Sequence, residues 1–340
     1  MTVSAEGKPP KGGAAWRMTR APRLAVLALL AAPLFFPAFN SPVEAAPPAP
    51  APSLSRYVLT TNPETHRQWG CDLGTRDLGL PGVQDSLVIL DFGRPAFRNG
   101  EPGSILFSNR FAGRGAILTA VEQFARGYYY CTGQDFDSHL RLAVGTSNYG
   151  PEVSFDHGLG WAELATIAQE RIETAGYSSQ VDVVGATDME LDWNGPKVTR
   201  SWVDGYASVG TRIFYNYGTA EGCPPYGRCG TAAHPEWTVD DVWYINWGVA
   251  PAWPVPEIYL TNGGNARQWQ QLSRYSAVEY GQPFDFHGVL TQHTACQQVG
   301  CDPQVDNTPE QGWSQLHDEL NSDPLTAQDD IRWSTDISWE

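Results

Sequence analysis

The sequence predicts an α/β protein, built as one (β/α)8 barrel that follows an export signal. Apolar runs recur along the chain in the order strand, loop and helix, and eight strands can be counted. The run Ser86 to Phe92 is apolar almost throughout, as expected of a strand covered on both faces. Hairpin turns at roughly 8–12-residue spacing, which would indicate a β-sandwich, are not found.

The amino-terminal segment predicts export. Residues 1–45 combine the basic Arg17, Arg20 and Arg23 with an apolar stretch and a small-residue cleavage site ending at Ala45. Residues 46–56 are rich in proline and alanine and predict a linker. The barrel would then occupy residues 57–340. We expect a secreted or cell-wall-associated protein without membrane contact beyond its signal.

The charge excludes several partners. The whole chain carries a net charge of −16, which becomes about −19 once the signal, with its excess of basic residues, is removed. So negative a surface disfavours nucleic acid and anionic membranes. We find no phosphate-binding glycine loop, heptad or internal repeat, so nothing indicates a cofactor. The sequence leaves the oligomeric state open.

Six cysteines in an exported chain predict disulfides rather than metal ligands. Fifteen connectivities are formally possible among six cysteines. Local pairing is the simplest of them and gives Cys223–Cys229, Cys296–Cys301 and Cys71–Cys131. We predict that the first of these bonds holds a loop beside the barrel mouth. The remaining Cys and His residues lack the ligand spacing of a zinc site.

The predicted elements follow from periodicity and end signals. The helix that begins at Trp161 is the clearest, because apolar residues share one face and Gly176 ends it. Thr238 followed by two aspartates favours a helix, although the apolar residues after them would also suit a strand. The predicted strands are residues 69–74, 86–92, 140–144, 183–193, 212–217, 256–260, 284–292 and 331–337. The predicted helices are residues 115–130, 161–176, 194–210, 238–247, 265–275 and 309–320.

The fourth predicted strand carries the most informative pattern. Asp188, Glu190 and Asp192 alternate with Met189 and Leu191, so on a strand the three acids would point the same way. Repulsion between them would raise the pKa of at least one, as a general acid requires. Paired carboxylates do the chemistry of most glycosidases. An exposed acidic edge or a cation-binding loop is the simpler alternative.

Other polar and aromatic side chains fall at predicted strand ends, where a barrel has its reactive face. Asp72, Asp91 and Glu257 are the further acids there. Aromatic rings stack on the C–H faces of sugars, and amides bind sugar hydroxyls. The predicted substrate-binding residues are Trp193, Tyr215, Tyr217, Trp247, Tyr259, Gln292 and Asp336. The alternative is that these rings belong to the core of a Trp-rich protein.

With Cys71-Asp72 at the first predicted strand and Asp188-Met189-Glu190 at the fourth, the layout resembles the family 25 glycoside hydrolases, which are lysozyme-like muramidases. It also resembles exported glycoside-hydrolase-like barrels of unknown function. The resemblance implies an eight-stranded barrel, Glu190 as general acid in peptidoglycan cleavage, and Asp336 as a third matching acid. The family's Gly-Ile-Asp opening is here Gly-Cys-Asp, and Asp192 is an additional acid.

The leading hypothesis is an exported glycoside hydrolase that acts on peptidoglycan or another polysaccharide. Glu190 would be the general acid, Asp188 or Asp192 the base or stabilising charge, and Asp72 a group that orients the sugar. A catalytically silent, glycan-binding barrel is the alternative from another class. A structural protein that binds calcium through the acidic segment is a third.

Overall fold

The computed structural model describes residues 47–209 and 212–339. The predicted export signal lies outside these residues. The strands are β1 Ser53–Tyr57, β2 Gln84–Asp91, β3 Arg94–Arg98, β4 Glu101–Ile105, β5 Phe111–Gly113, β6 Ser138–Ser147, β7 Val181–Asp188, β8 Phe214–Asn216, β9 Ala252–Pro254, β10 Gly288–Thr291 and β11 Trp333–Trp339. The α-helices are α1 Pro63–Gly79, α2 Arg114–Cys131, α3 Phe155–Thr174, α4 Pro196–Val209, α5 Val239–Trp243, α6 Gly264–Tyr280, α7 His293–Val299 and α8 Pro309–Asn321.

Eight of the strands form one parallel, nearly closed barrel in the order β10-β11-β1-β2-β6-β7-β8-β9. The two edges meet just after β9, where Glu257 bridges Leu290. The Ile258 amide donates to the Leu290 carbonyl at 2.9 Å, and the Leu290 amide donates to the Pro256 carbonyl at 2.9 Å. The predicted fold class, an α/β barrel with eight strands, is therefore confirmed.

The prediction that residues 69–74 form the first strand is wrong, because they lie in the middle of helix α1. The Asn62 side chain caps this helix by accepting from the Glu64 and Thr65 amides at 2.9 and 3.1 Å. Pro63 occupies the first helical turn, where its missing amide hydrogen costs nothing. The Asn-Pro-Glu sequence is thus a helix start that the sequence analysis overlooked.

The actual first strand, β1, begins inside the segment predicted to be a linker. It pairs with β11 from Ser53↔Thr335 to Tyr57↔Trp339, so the two ends of the described chain lie side by side. The strand has no apolar run because its buried positions are serines. The Ser55 hydroxyl lies 2.7 Å from the Thr335 hydroxyl and accepts from the Ile89 amide at 2.8 Å.

The acidic strand ends earlier than predicted. The β6–β7 ladder stops at the pair Ser147↔Asp188. Beyond this pair, the side chain of Asn148 forms hydrogen bonds with the backbone of Glu190. It accepts from the Glu190 amide at 3.0 Å and donates to the Glu190 carbonyl at 2.9 Å. The prediction that three acids share one strand face is therefore wrong, since only Asp188 lies in the strand.

Later elements are close to their predicted places. The helix that begins at Thr238 is confirmed, with a capping box and a continuation as one π-helical turn over Tyr244–Gly248. The sixth predicted strand, residues 256–260, lies just after β9 rather than within it. Of the seventh, residues 284–292, only Gly288–Thr291 joins the sheet.

A small antiparallel sheet, β3-β4-β5, was not predicted. Its first turn is Asn99-Gly100, whose φ values of 54° and 79° match the left-handed residues of a tight hairpin. An Asn-Gly pair between two short strands is a strong hairpin signal, so this hairpin could have been predicted from the sequence. Helix α7 was missed as well, because it is only seven residues long.

The three predicted disulfides, Cys71–Cys131, Cys223–Cys229 and Cys296–Cys301, are confirmed. Disulfides of this number are typical of oxidising compartments. The first joins α1 to α2, which approach closely because Gly127 faces the Arg67 carbonyl and leaves no room for a Cβ atom. Across residues 47–209 and 212–339, no helix has the length and apolar character needed to cross a membrane.

Candidate active site

A cavity of about 590 Å³ opens at the carboxyl-terminal ends of the barrel strands. The end of β1 contributes Tyr57, the end of β2 contributes Asp91, and the end of β7 contributes Asp188. The loop of the small antiparallel sheet covers one side through Leu106 and Phe107. Because parallel strands end together, residues far apart in sequence meet at this face.

Four carboxylic acids line this cavity: Asp91, Asp188, Glu190 and Glu257. Asp91 is fully buried, whereas the other three are partly exposed. Arg94 is the one basic residue among those that line the cavity in the described chain, and it forms no ion pair there. Its guanidinium instead lies 5.9 Å from the centre of the Tyr149 ring. The acids are therefore not neutralised by neighbouring cations.

Burial raises the pKa of Asp91 to about 7, although a hydrogen bond from the Gly93 amide opposes the shift. Burial also raises the pKa of Glu257 to about 7, against a hydrogen bond from the Thr219 side chain. The Asp91 atom Oδ2 has no hydrogen-bond partner within the described residues. The nearby Tyr217 side chain also lowers the pKa of Asp91, but the effect of burial is larger, so the carboxyl group is easily protonated.

The pKa values of Asp188 and Glu190 are raised as well. Burial raises the pKa of Asp188 well above its usual value, and the charges of Asp91 and Glu257 add to this. Burial raises the pKa of Glu190 well above its usual value, with Glu257 the next largest cause and Asp188 after it. The cavity can thus hold a protonated acid and an ionised acid side by side near neutral pH.

Aromatic rings form two walls above the acids. In the first wall, Tyr57 lies 4.9 Å from Phe107 and 4.5 Å from Trp339, measured between ring centres. In the second, Tyr149 lies 5.7 Å from Trp193 in an edge-to-face arrangement. Trp193 remains 37% exposed, so its surface is open to a ligand. Rings on both sides of a polar floor suit a sugar, which has apolar faces and hydroxyl edges.

Two loops hold the acidic turn after β7. The side chain of Asn148 forms two hydrogen bonds with the Glu190 backbone. In addition, the side-chain amide of Asn194 donates to the backbone carbonyls of Asn148 and Gly150 at 2.7 and 2.9 Å. Gly218 lies against the other side of this turn, where an added Cβ would sit 2.4 Å from the Met189 carbonyl oxygen. Glu190 is therefore held by its backbone, which leaves its carboxyl group available to the cavity.

Four predicted site residues line the cavity: Asp188, Glu190, Trp193 and Tyr259. Asp72 does not, because it lies on the exposed face of α1 and accepts from Gln68 at 2.8 Å. Asp192 is exposed in the turn after Glu190 and lies outside the cavity lining. Neither Asp72 nor Asp192 therefore lies in the cavity, where the sequence had led us to expect them.

Three predicted aromatic residues also lie elsewhere. Tyr215 is buried within the barrel, with its hydroxyl 3.0 Å from Nδ1 of His287. Tyr217 is buried too, and its hydroxyl donates to the Thr146 carbonyl at 3.2 Å. Trp247 packs against other rings, with Trp253 at 5.0 Å between ring centres. These rings belong to the packing of the barrel, which was the alternative considered for them.

Gln292 and Asp336 stabilise the region around α7. Gln292 donates to the Val305 carbonyl at 3.1 Å. Asp336 is buried and accepts from the His293 and Thr294 amides at 2.8 Å each, which satisfies the first turn of that helix. Neither side chain lines the cavity.

Four residues of the cavity lining were not predicted as site residues: Asp91, Glu257, Tyr57 and Trp339. Asp91 and Glu257 stood among the strand-end acids, and position alone was the signal that could have selected them. Tyr57 and Trp339 gave no signal in the sequence, because their strands, β1 and β11, lie at opposite ends of the described chain and meet only in the folded barrel.

The described residues hold no group of three His, Cys, Asp or Glu side chains placed to bind one metal ion. Fold and cavity together define the class of this protein as a parallel α/β barrel with an acid-lined cleft at its strand ends. Comparison with protein-family models and with curated proteins found no match to this chain.

Proposed function

We propose that this protein is an exported glycoside hydrolase that acts on a cell-wall or extracellular polysaccharide. The observation that carries the proposal is the convergence of four acids with raised pKa values between two aromatic walls. Glycoside hydrolysis requires one carboxylic acid that holds its proton and one carboxylate that does not. Phosphoryl transfer would require several Lys or Arg residues, which the cavity lining does not provide.

Glu190 is the general acid in this proposal. Its raised pKa keeps the proton on the carboxyl group near neutral pH, so it can protonate the glycosidic oxygen as the bond breaks. Asp188 lies beside it, and its charge contributes to the raised pKa of Glu190. The aromatic walls would hold sugar rings over the acids.

The resemblance to family 25 glycoside hydrolases is only partly supported. Asp188 and Glu190 do stand at the end of the fourth barrel strand, counted from β1. The first strand ends in Tyr57 rather than an aspartate, and Asp336 is bound to α7. Peptidoglycan therefore remains one proposed substrate among several polysaccharides.

The test is release of reducing ends from insoluble peptidoglycan, chitin, xylan and β-glucan by the purified protein. We expect hydrolysis of at least one, and a loss of at least about 100-fold in kcat for Glu190→Gln, since general acid catalysis contributes 10²–10⁴-fold. Asp192→Asn is the matched control, because it removes a neighbouring acid outside the cavity and should keep activity within about threefold.

Absence of release from every substrate, or full activity of Glu190→Gln, would overturn the proposed function. A pull-down on the same insoluble substrates separates the alternative. Binding without release, unchanged in Glu190→Gln, would show a catalytically silent glycan-binding barrel.

A further inference from the structure

We propose that Glu257 is the second catalytic carboxylate, the base that activates water for attack on the sugar, and that Thr219 positions it. This inference rests on the proposed hydrolase function. It replaces Asp188 and Asp192 as candidates for the base.

The fold places Glu257 and Glu190 on either side of the segment that follows β8. Its backbone lies where the barrel closes, bridging Leu290 and donating to the Gly218 carbonyl at 3.4 Å. The Thr219 amide donates in turn to the Met189 carbonyl at 3.3 Å. One short segment after β8 thus contacts the backbone of Glu257 on one side and the residue before Glu190 on the other. The two acids are held on either side of this segment.

The Thr219 side chain lies beside Glu257 and lowers the pKa of its carboxyl group. Its hydroxyl accepts from the Glu221 amide at 3.0 Å, which leaves its proton available for the Glu257 carboxylate. Thr219 is only 3% exposed, so water does not replace it easily. A hydroxyl held in this way stabilises the ionised form of Glu257, the form that a base requires.

The other acids suit this role less well. Asp91 is 0% exposed, so it is less accessible to a nucleophilic water than the partly exposed Glu257. Asp188 has the Asp91 and Glu257 charges beside it, which favour its protonated form. Asp192 lies outside the cavity. Glu257 alone combines exposure to the cavity with a donor that favours its ionised state.

The proton states agree with this assignment. The pKa of Glu257 is raised by burial to about 7, whereas that of Glu190 is raised well beyond its usual value, chiefly by burial and then by the Glu257 charge. The Thr219 side chain lowers the pKa of Glu257, whereas every cause that acts on Glu190 raises its pKa. The other titratable groups of the cavity lining are Tyr57, Asp91, Arg94, Asp188 and Tyr259, and Glu221 acts on Glu257 from the loop after β8.

The proposed reaction needs only these two carboxyl groups and one water molecule. Glu190 gives its proton to the glycosidic oxygen, and the bond between that oxygen and the anomeric carbon breaks, leaving its electron pair on the oxygen. The water oxygen forms the new bond to the anomeric carbon, while its proton passes to Glu257. Transfer of a proton through solvent from Glu257 to Glu190 restores the starting state.

The first experiment compares Glu257→Gln and Glu257→Ala on the polysaccharide that the wild type hydrolyses. We expect each to lose at least about 100-fold in kcat with a smaller change in KM, since a missing base affects chemistry more than binding. Azide needs no base, so it should restore turnover of Glu257→Ala and yield a glycosyl azide. A structural role for Glu257 would give no such rescue.

The second experiment reads the base directly from the pH profile. Thr219→Val removes a bond that lowers the pKa of Glu257, so the acidic limb of kcat/KM should move to higher pH. Glu221→Gln removes a charge that raises this pKa, so the same limb should move to lower pH. Carbon-13 NMR of the glutamate carboxyls should show the same two shifts in a titration near pH 7 that is absent from Glu257→Gln.

The outcomes separate the two proposals. If the wild type releases no reducing ends, the hydrolase function fails and this inference falls with it. If the wild type is active and Glu257→Gln retains full kcat, or if neither Thr219→Val nor Glu221→Gln moves the acidic limb, the hydrolase stands and the role of Glu257 is overturned. If Glu257→Gln does not fold, the pH profiles of kcat/KM for Thr219→Val and Glu221→Gln still test the role of Glu257.

Discussion

Asn148 shows how one buried side chain shapes the candidate site. It is 1% exposed, and its amide group satisfies both the amide and the carbonyl of Glu190 where the β6–β7 ladder ends. The same Nδ2 also donates to the Thr199 hydroxyl at 3.2 Å. A side chain that replaces ladder hydrogen bonds in this way fixes the direction in which the next carboxyl group points.

We expect Asn148→Ala to lower kcat by about 10–100-fold with little change in KM, because it frees the Glu190 backbone. It should also cost about 1–3 kcal/mol of unfolding free energy, since two partly buried backbone groups lose partners. Thr199→Val is the control, because it removes the third bond of the network and leaves the Glu190 contacts intact. Steady-state kinetics and denaturant unfolding provide the measurements. Equal losses of kcat in both variants would contradict a positioning role.

At the scale of elements, the loop between β8 and α5 supports the acids from behind. Its first residues, Gly218 and Thr219, contact the Met189 backbone and Glu257. The Cys223–Cys229 bond closes the following turn, and both cysteines are buried. The disulfide therefore restricts the segment that carries Thr219, although none of the loop lines the cavity itself.

Replacing Cys223 and Cys229 together by Ser should lower kcat/KM clearly, while it lowers the free energy of unfolding only slightly. Closing so short a loop contributes only about 2 kcal/mol in the chain-entropy model. The control replaces Cys71 and Cys131 together by Ser. This variant loses the disulfide that joins residues 60 positions apart on two outer helices. Its loss of stability should be larger, about 4 kcal/mol, with activity retained below its lowered Tm. Unchanged activity of the first variant at reduced Tm would show that its bond is purely structural.

At the scale of the whole molecule, the barrel encloses acids that its own cations do not neutralise. Asp91 and Glu257 have pKa values raised by burial to about 7, whereas an unfolded chain has values near 3.9 and 4.3. Protons are therefore bound more strongly by the folded protein. Their contribution to stability is fully present below about pH 4 and is lost as the pH rises through about 7.

The free energy of unfolding should accordingly fall between about pH 4 and about pH 8, by about 4 kcal/mol from Asp91 alone if its shift is complete. Asp91→Asn should make the pH dependence shallower and should raise the Tm at about pH 8. Asp72→Asn, which removes an exposed acid from α1, should leave the slope unchanged. Thermal unfolding across this pH range measures all three proteins. A slope that is the same in Asp91→Asn and the wild type would show that Asp91 is ionised in the folded state.

The sequence could predict those elements whose signals are local. Helix α3 has its apolar face and the glycine that follows it close together in the chain, although it begins at Phe155 rather than at the predicted Trp161. In each of the two short disulfide loops, both cysteines are likewise close in sequence. The same kind of signal was present but overlooked at Asn62-Pro63 and at Asn99-Gly100. The error over residues 69–74 moved the expected first acid, Asp72, from a strand end to an exposed helix face.

The sequence by itself determined the alternation of strands and helices, the two short disulfide loops and the presence of the acids around Glu190, because each depends on neighbours in the chain. Only the tertiary structure decided which acids meet. Serine-rich β1 becomes a barrel strand through its pairing with β11, and that pairing brings Tyr57 and Trp339 together. Barrel closure likewise places Glu257 with Asp91 and Asp188. Burial and mutual repulsion then set the pKa values of these acids, and both depend on distances in space rather than along the chain.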